Sequence, residues 1–195
     1  MELYAAEGIS IVKQVLARNK KVFLDLKFHD IPETVKRAVS RAADLGVHLL
    51  TVHAYPQVMA AAVAGKGNSP LQVLGVTVLT SVGESDLIDM GYPEGTTVGE
   101  LVRQRVQQGI ATGIDGFVCS PLEARAVRSL SGPLKVLVTP GIRSAGKDPG
   151  DQKRVATPAQ AIADGATYLV IGRQITRSET PQSEVQAVLQ EISTA

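Results

Sequence analysis

An α/β barrel of the (β/α)₈, or TIM, class is the fold that this sequence predicts. Six short β-branched runs, typical of buried parallel strands, alternate with helical patterns along the chain. Strict alternation of this kind means right-handed crossovers, in either a closed barrel or an open doubly wound sheet. Polar residues follow nearly every predicted strand. A barrel collects all its strand ends around one axis, whereas an open sheet gathers ligands at one switch point, so this distribution favours the barrel.

The individual elements follow from periodicity and from their end signals. Strands are predicted at 22–27, 49–54, 72–80, 116–120, 135–139 and 168–172. Helices are predicted at 7–17, 33–45, 56–64, 98–112, 122–130, 158–164 and 183–192. Gly46, Gly113 and Gly165 each close a helix, where a residue without Cβ can adopt the left-handed cap. A barrel needs eight strands, so we expect one N-terminal βαβ unit of roughly 30 or more residues to be missing.

Composition favours one domain over residues 1–195, an N-terminally incomplete barrel. The chain is 44% hydrophobic and can bury a substantial core. Its 20 basic and 19 acidic side chains give a net charge of +1, which provides no field for nucleic acid or an anionic membrane. Cys119 is the single cysteine, which excludes an intrachain disulfide and fits a reducing compartment. No apolar run could span a bilayer and no signal region opens the chain, so we expect a cytoplasmic protein.

Charged residues at the end of the first predicted strand form the strongest candidate site. Because side chains alternate along a strand, Asp25 and Lys27 project to one side, and Asp30 follows in the turn. Desolvating two carboxylates and an ammonium costs free energy, and such sites usually have a function. The alternative is a structural ion pair at a strand end.

The last two strand exits suggest phosphate binding. Gly172 and Arg173 combine a backbone that allows close approach with a guanidinium, although Gly-Arg by itself also describes surface charge. The long polar segment 144–154 is interpreted as a lid over the site, with local disorder as the alternative. In it, Gln152 could bond to both a base edge and a phosphate, whereas Lys153 and Arg154 are expected to be solvated.

The remaining polar candidates have simpler alternatives. Thr80 and Ser81 offer hydroxyls to a ligand amide or carbonyl, but could equally cap a helix or turn. A lone histidine such as His53 is more often a hydrogen-bonded core residue than a base. The sequence contains no His/Cys/Asp cluster with zinc spacing, and Cys119 is interpreted as an inert small hydrophobe.

Together these motifs resemble the orotidine 5′-phosphate decarboxylase family. The matching segments run in order across the chain, at 25–32, 78–81, 138–143, 150–154 and 168–173. The Asp-x-Lys-x-x-Asp element is shared with a wider suprafamily. The Gly-Asp-Gln loop combined with Val-Ile-Gly-Arg is much more specific.

The resemblance implies cofactor-free and metal-free decarboxylation of orotidine 5′-monophosphate to UMP, in a homodimeric barrel of de novo pyrimidine biosynthesis. Lys27 would stabilise a C6 carbanion and protonate it, Asp25 would lie against the departing carboxylate, and Asp30 would reach into the partner subunit's site. By the same likeness, Thr34 would contact the ribose, Ser81 the pyrimidine, Gln152 both base and phosphate, and Arg173 the phosphate. The full set of implied substrate-binding residues is Ile31, Thr34, Thr80, Ser81, Pro140, Arg143, Gln152, Gly172 and Arg173.

The front of the chain departs from the family pattern, and two other functions stay open. Family members carry a first strand with an aspartate and a second strand with a lysine, and residues 1–4 resemble the segment just after that second strand. One alternative function is that of a Mg²⁺-dependent sugar-phosphate decarboxylase or aldolase of the same suprafamily. The other is a non-catalytic nucleotide-binding protein.

Overall fold

A computed structural model describes residues 1–146 and 154–193 of the chain. They divide into two compact units. The first comprises Met1–Val76 and Gln107–Gly116, and the second Thr77–Val106 and Phe117–Ala195. The prediction of a single domain stays a prediction.

Strands and helices alternate through the described residues, as an α/β fold requires. The strands are β1 (Phe23–Phe28), β2 (Leu49–His53), β3 (Gln72–Val76), β4 (Gly116–Val118), β5 (Val136–Thr139) and β6 (Tyr168–Leu169). The helices are α1 (Glu2–Glu7), α2 (Ile9–Ala17), α3 (Pro32–Asp44), α4 (Pro56–Lys66), α5 (Glu84–Asp89), α6 (Val98–Thr112), α7 (Pro121–Ser131), α8 (Pro158–Ala163), α9 (Arg173–Thr176) and α10 (Pro181–Ser193).

The first unit is built on β1, β2 and β3, which are adjacent and parallel. β2 is its central strand and is buried over its first four residues, which is why its sequence is continuously apolar apart from Thr51. Helices α3 and α4 both begin with proline at the first helical turn, where the missing N–H costs nothing. Val35, Val39 and Met59 from these helices are fully buried in the core.

The second unit is built on Phe117 and Val118 of β4, followed by β5 and β6 in that order. Val138 is in register with Tyr168, and Thr139 with Leu169, in a parallel pair. Helix α7 starts with a capping box in which Ser120 is the N-cap and its backbone N–H donates to the Glu123 carboxylate. This cap gives the buried Ser120 hydroxyl a structural role, although the residue follows a strand as catalytic residues do.

Predicted and observed elements differ mainly at their ends. The strand predicted at 72–80 stops at Val76, and Thr77 after it donates both its N–H and its hydroxyl to the Val118 carbonyl. The helix predicted at 7–17 begins at Ile9, because Gly8 at φ 60° interrupts the helical backbone and separates α2 from α1. Helices α1, α5 and α9 were not predicted. No helix in the part of the chain that the structure describes is long and apolar enough to cross a membrane.

Candidate active site

Strand β1 is irregular at the predicted catalytic residues. Leu24 is in register with Leu50, but the next matched pair is Phe28 with Val52, so β1 carries two more residues than β2 in this interval. Lys27 sits in the bulge at φ 54°, in the left-handed region that side chains with a Cβ rarely adopt. Strain of this kind costs on the order of 1–3 kcal/mol and clusters at functional sites. The bulge thus marks Lys27 as a residue that the surrounding structure holds in an unfavourable backbone conformation.

The side chains of Lys27 and Asp25 meet, as the period-two pattern predicts. Lys27 Nζ donates to Asp25 Oδ2 at 2.7 Å, with the lysine side chain 24% exposed and the aspartate 41%. The pair is therefore partly desolvated yet open on one side. A fixed ammonium of this sort provides a countercharge for a developing anion without reorganisation.

Thr51 of β2 fastens both members of the pair, and sequence reasoning missed it. Its hydroxyl donates to Asp25 Oδ1 at 2.9 Å and accepts from the Lys27 backbone N–H at 2.9 Å. The second bond satisfies an amide that the bulge removes from the strand ladder. Thr51 is fully buried, and a lone hydroxyl within the apolar run of β2 was the signal that could have found it, because buried hydroxyls need partners.

Asp30, Ile31 and Thr34 lie on the surface around the start of α3. Asp30 Oδ1 accepts from the Ile31 N–H at 2.7 Å, a bond with its own neighbour. Ile31 is 68% exposed although it is a large apolar residue, and Thr34 is exposed as well. The structure does not bring these three into the Asp25–Lys27 pair.

Three rings cluster beside this segment. The rings of His29 and Tyr55 stack at 4.6 Å with an interplanar angle of 7°, and His53 lies 5.5 Å from His29. His53 therefore belongs to an aromatic cluster at the end of β2. His29, which makes both ring contacts, directly precedes Asp30 in the chain.

In the second unit, Thr80 and Ser81 are the central residues of a β-turn over residues 79–82. The Val82 N–H donates to the Leu79 carbonyl at 2.9 Å and closes the turn. Ser81 is exposed at its tip. Helix α5 begins later, and its N-terminus is capped by Asp86, which accepts from the Gly83 N–H at 2.6 Å. The two hydroxyls are thus not the cap of α5.

The exits of β5 and β6 lie side by side. After β5, Gly141 at φ 79° turns the backbone, as glycine readily does. The segments that follow β5 and β6 are joined by Gln174, whose side chain accepts from the Ser144 N–H at 3.1 Å and donates to the Ser144 hydroxyl at 2.9 Å. Since Gln174 follows Arg173 and Ser144 follows Arg143, the bonds bring the two predicted phosphate-binding segments together.

The other predicted residues of these exits are placed as follows. Pro140 and Arg143 are half-buried, whereas Gly172 and Arg173 are exposed, with Gly172 at the N-cap of α9. Gln152 and Lys153 lie outside the described residues, and their predicted roles stay predictions.

Arg154 contradicts its prediction as a solvated residue. Its side chain is 12% exposed and forms an ion pair with Glu123, which is 13% exposed. Its Nη2 also donates to the Leu79 carbonyl at 2.9 Å. Burial raises the pKa of Glu123 above its ordinary value of 4.5, and the Arg154 guanidinium opposes that rise. Its bonds to a carboxylate and to a carbonyl compensate for part of the cost of burying the guanidinium.

Cys119 behaves as the small hydrophobe that the sequence suggests. It is buried, and burial raises the pKa of its thiol to about 12, far from the range in which a thiolate forms. Within residues 1–146 and 154–193, no three His, Cys, Asp or Glu side chains are grouped as metal ligands.

Comparison with known proteins identifies a family whose model matches this chain. Residues 1–188 match the model of the "Orotidine 5′-phosphate decarboxylase / HUMPS family". A curated orotidine 5′-phosphate decarboxylase of Rhodopseudomonas palustris (strain BisB5) is 51% identical over 194 residues, which cover 100% of this chain and 82% of the relative.

Two solved structures show the same fold at 33% identity. The crystal structure of an uncharacterized conserved protein from Geobacillus kaustophilus has a TM-score of 0.81 and covers 97% of this chain and 84% of its own. That of orotidine 5′-phosphate decarboxylase from Lactobacillus acidophilus has a TM-score of 0.80, with 95% and 81% covered. The predicted α/β barrel class is confirmed by this likeness.

Proposed function

Because this chain belongs to the orotidine 5′-phosphate decarboxylase / HUMPS family, we propose that it decarboxylates orotidine 5′-monophosphate to UMP. The reaction is a step of pyrimidine biosynthesis and uses no cofactor. The single observation that carries the proposal is the Lys27–Asp25 ion pair, held at 2.7 Å on a strand bulge with Lys27 at φ 54°. A family relative at 51% identity that bears the decarboxylase name supports it.

Decarboxylation breaks the bond between C6 of the pyrimidine and its carboxylate. The electron pair stays on C6 as CO₂ departs, and the Lys27 ammonium stabilises this carbanion and then transfers a proton to it. Asp25 lies against the departing carboxylate, and the repulsion between these two negative charges is relieved as CO₂ leaves. Thr51 supports both roles, because its hydroxyl holds Asp25 Oδ1 and the Lys27 amide together. Preorganised electrostatic stabilisation of this kind is usually the largest single contribution to catalysis.

Binding of the rest of the nucleotide is assigned to the residues that the family resemblance implies. Thr80 and Ser81 are assigned to the pyrimidine, Pro140, Arg143, Gly172 and Arg173 to the phosphate end, and Gln152 to both base and phosphate. The Ser144–Gln174 bonds support this assignment, since they join the two segments that carry the arginines. Phosphate binding far from C6 contributes free energy that positions the reacting carbon.

The test of the catalytic assignment is substitution of Lys27. We expect Lys27→Ala to abolish CO₂ release while UMP still binds, because the ammonium acts in the transition state more than in the ground state. Lys27→Gly is the control for backbone strain, since glycine adopts φ 54° without a Cβ penalty. It should fold and be equally inactive. Near-wild-type turnover in either variant would refute the assignment.

The same assay separates the two alternative functions. An Mg²⁺-dependent sugar-phosphate enzyme would lose activity on chelation, whereas the proposed reaction should not respond to a chelator. Tight UMP binding without CO₂ release by the wild-type chain would instead identify a nucleotide-binding protein.

We further propose a homodimer in which Asp30, Ile31 and Thr34 complete the partner subunit's site. Support comes from Ile31, which is 68% exposed beside the start of α3. Mixing inactive Lys27→Ala and Asp30→Asn chains should restore activity, because hybrid dimers contain one site with both residues intact. Random pairing predicts about a quarter of wild-type activity. No recovery, in mixtures shown by sedimentation to exchange subunits, would contradict shared sites.

A cytoplasmic location is part of the proposal. The single buried Cys119 fits a reducing compartment. Immunodetection in separated cell fractions tests it, and recovery in the membrane or periplasmic fraction would contradict it.

A further inference from the structure

The turn that carries Ser81 is hydrogen-bonded to Arg154. Arg154 Nη2 donates to the Leu79 carbonyl at 2.9 Å, and the same oxygen accepts the Val82 N–H that closes the turn. Leu79 and Arg154 are 75 positions apart in the chain. The bond therefore fixes the first residue of the turn to a distant segment of the second unit.

The guanidinium is itself fixed by a buried carboxylate. Arg154 Nη1 pairs with Glu123 Oε1, and Glu123 Oε2 accepts the Ser120 N–H at 3.1 Å in the capping box of α7. Both side chains of the pair are nearly inaccessible to water. A buried, doubly bonded arginine loses little further entropy in holding a carbonyl, so it is a rigid support.

The chain just before the turn has separate anchors. Thr77 bonds to the Val118 carbonyl through its N–H and its hydroxyl, each at 3.0 Å. Arg105 donates to the Thr77 carbonyl and, through Nη2, to the Tyr92 hydroxyl at 2.9 Å. Loss of the Arg154 bond should consequently loosen residues 79–82 and leave Thr77 in place.

We propose that Arg154 is a positioning residue for pyrimidine recognition, acting through the 79–82 turn on the Ser81 hydroxyl. The inference rests on the proposed function, because it takes the pyrimidine as the ligand of Ser81. Arg154 touches no reacting atom; it determines where Ser81 lies.

The experiment uses the full chain with a charge-balanced double variant. Arg154→Met with Glu123→Gln removes both charges, so no buried ion is left unpaired, and the glutamine can still accept the Ser120 N–H. The matched control is Arg125→Met with Asp164→Asn, which removes an arginine–carboxylate pair of 2.7 Å in the same unit that does not contact the turn.

Two measurements are made on each variant. Amide hydrogen exchange over residues 79–82 should accelerate in the Arg154/Glu123 variant and not in the control, while the Thr77 amide should be unchanged in both. Calorimetry with UMP and with ribose 5-phosphate should show UMP affinity falling about three- to tenfold, the size of one neutral hydrogen bond between Ser81 and the base, with ribose 5-phosphate affinity unchanged. A Ser81→Ala background should reduce that UMP loss to about twofold or less, because coupled residues are not additive.

The outcomes separate this inference from the function on which it rests. A wild-type chain that neither decarboxylates orotidine 5′-monophosphate nor binds UMP would overturn both. If the wild type does both, and the Arg154/Glu123 variant matches the control in exchange and UMP affinity, only the positioning role is overturned. Equal losses for UMP and ribose 5-phosphate would also overturn it, since the effect would then not concern the base.

Discussion

Replacing Thr51 with valine tests whether one buried hydroxyl organises the catalytic pair. Valine has the same shape, so the change removes two hydrogen bonds and little volume. A hydrogen bond to the charged Asp25 is worth about 1.5–3 kcal/mol, and a buried Lys27 N–H without an acceptor costs about 1–3 kcal/mol. Because the Asp25 side chain is 41% exposed, water replaces part of the first contribution. We expect the free energy of unfolding to fall by about 2–4 kcal/mol.

The same substitution should lower decarboxylase activity. Without Thr51, neither the carboxylate of Asp25 nor the backbone of Lys27 is fixed, and a small displacement of catalytic groups can cost on the order of 100-fold in rate. We therefore expect the turnover number to fall by about tenfold or more while UMP affinity changes little. Thr51→Ser keeps the hydroxyl and should restore most of the activity.

Urea unfolding and steady-state decarboxylation are the two assays. Thr77→Val is the matched control, because Thr77 is equally buried but its hydroxyl makes one bond, to the neutral Val118 carbonyl. Its expected cost is about 0.5–1.5 kcal/mol. Thr51→Val could lower the free energy of unfolding no more than this control does and leave the turnover number unchanged. Thr51 would then not organise the Asp25–Lys27 pair.

Three further predictions concern other parts of the chain. Arg173→Ala and Gln152→Ala should each weaken UMP binding by about 1.5–3 kcal/mol, measured by calorimetry, and should weaken uridine binding much less. Arg177→Ala is the control and should affect neither ligand. Equal losses for UMP and uridine would exclude a phosphate contact. The hydrogen bond from Gln160 and the ion pair with Arg125 lower the pKa of Asp164 from its ordinary value of 3.8. The ionised carboxylate therefore stabilises the fold at pH values above 3.8, and this stabilisation is lost as the pH falls through the lowered pKa. Asp164→Asn should therefore cost about 0.5–1 kcal/mol at neutral pH in urea unfolding, with the gap closing in acid; a constant gap would contradict the linkage. The Thr139 hydroxyl is buried with no partner among the described residues, so Thr139→Val should leave the free energy of unfolding unchanged or raise it by about 1 kcal/mol, and a clear loss in thermal unfolding would indicate a missed partner.

Local sequence information predicted the features that depend on neighbours in the chain. The six strands appear at the predicted places because each is a short apolar run between turn residues. Three of them end earlier than predicted, after Val76, Val118 and Leu169. The Asp25–Lys27 contact was predictable for the same reason, since a separation of two places side chains on one face of a strand.

What the sequence determined by itself is therefore the α/β alternation, the charged end of β1 and the family resemblance carried by its motifs. Only the tertiary structure decided that Lys27 lies in a bulge at φ 54°, that Thr51 bonds to it across 24 positions, and that Arg154 is buried on Glu123 and Leu79, 31 and 75 positions away. Periodicity reports which face a residue occupies within its own element. It contains no information on which distant hydroxyl, carboxylate or carbonyl will meet that face, because such contacts depend on how the elements pack.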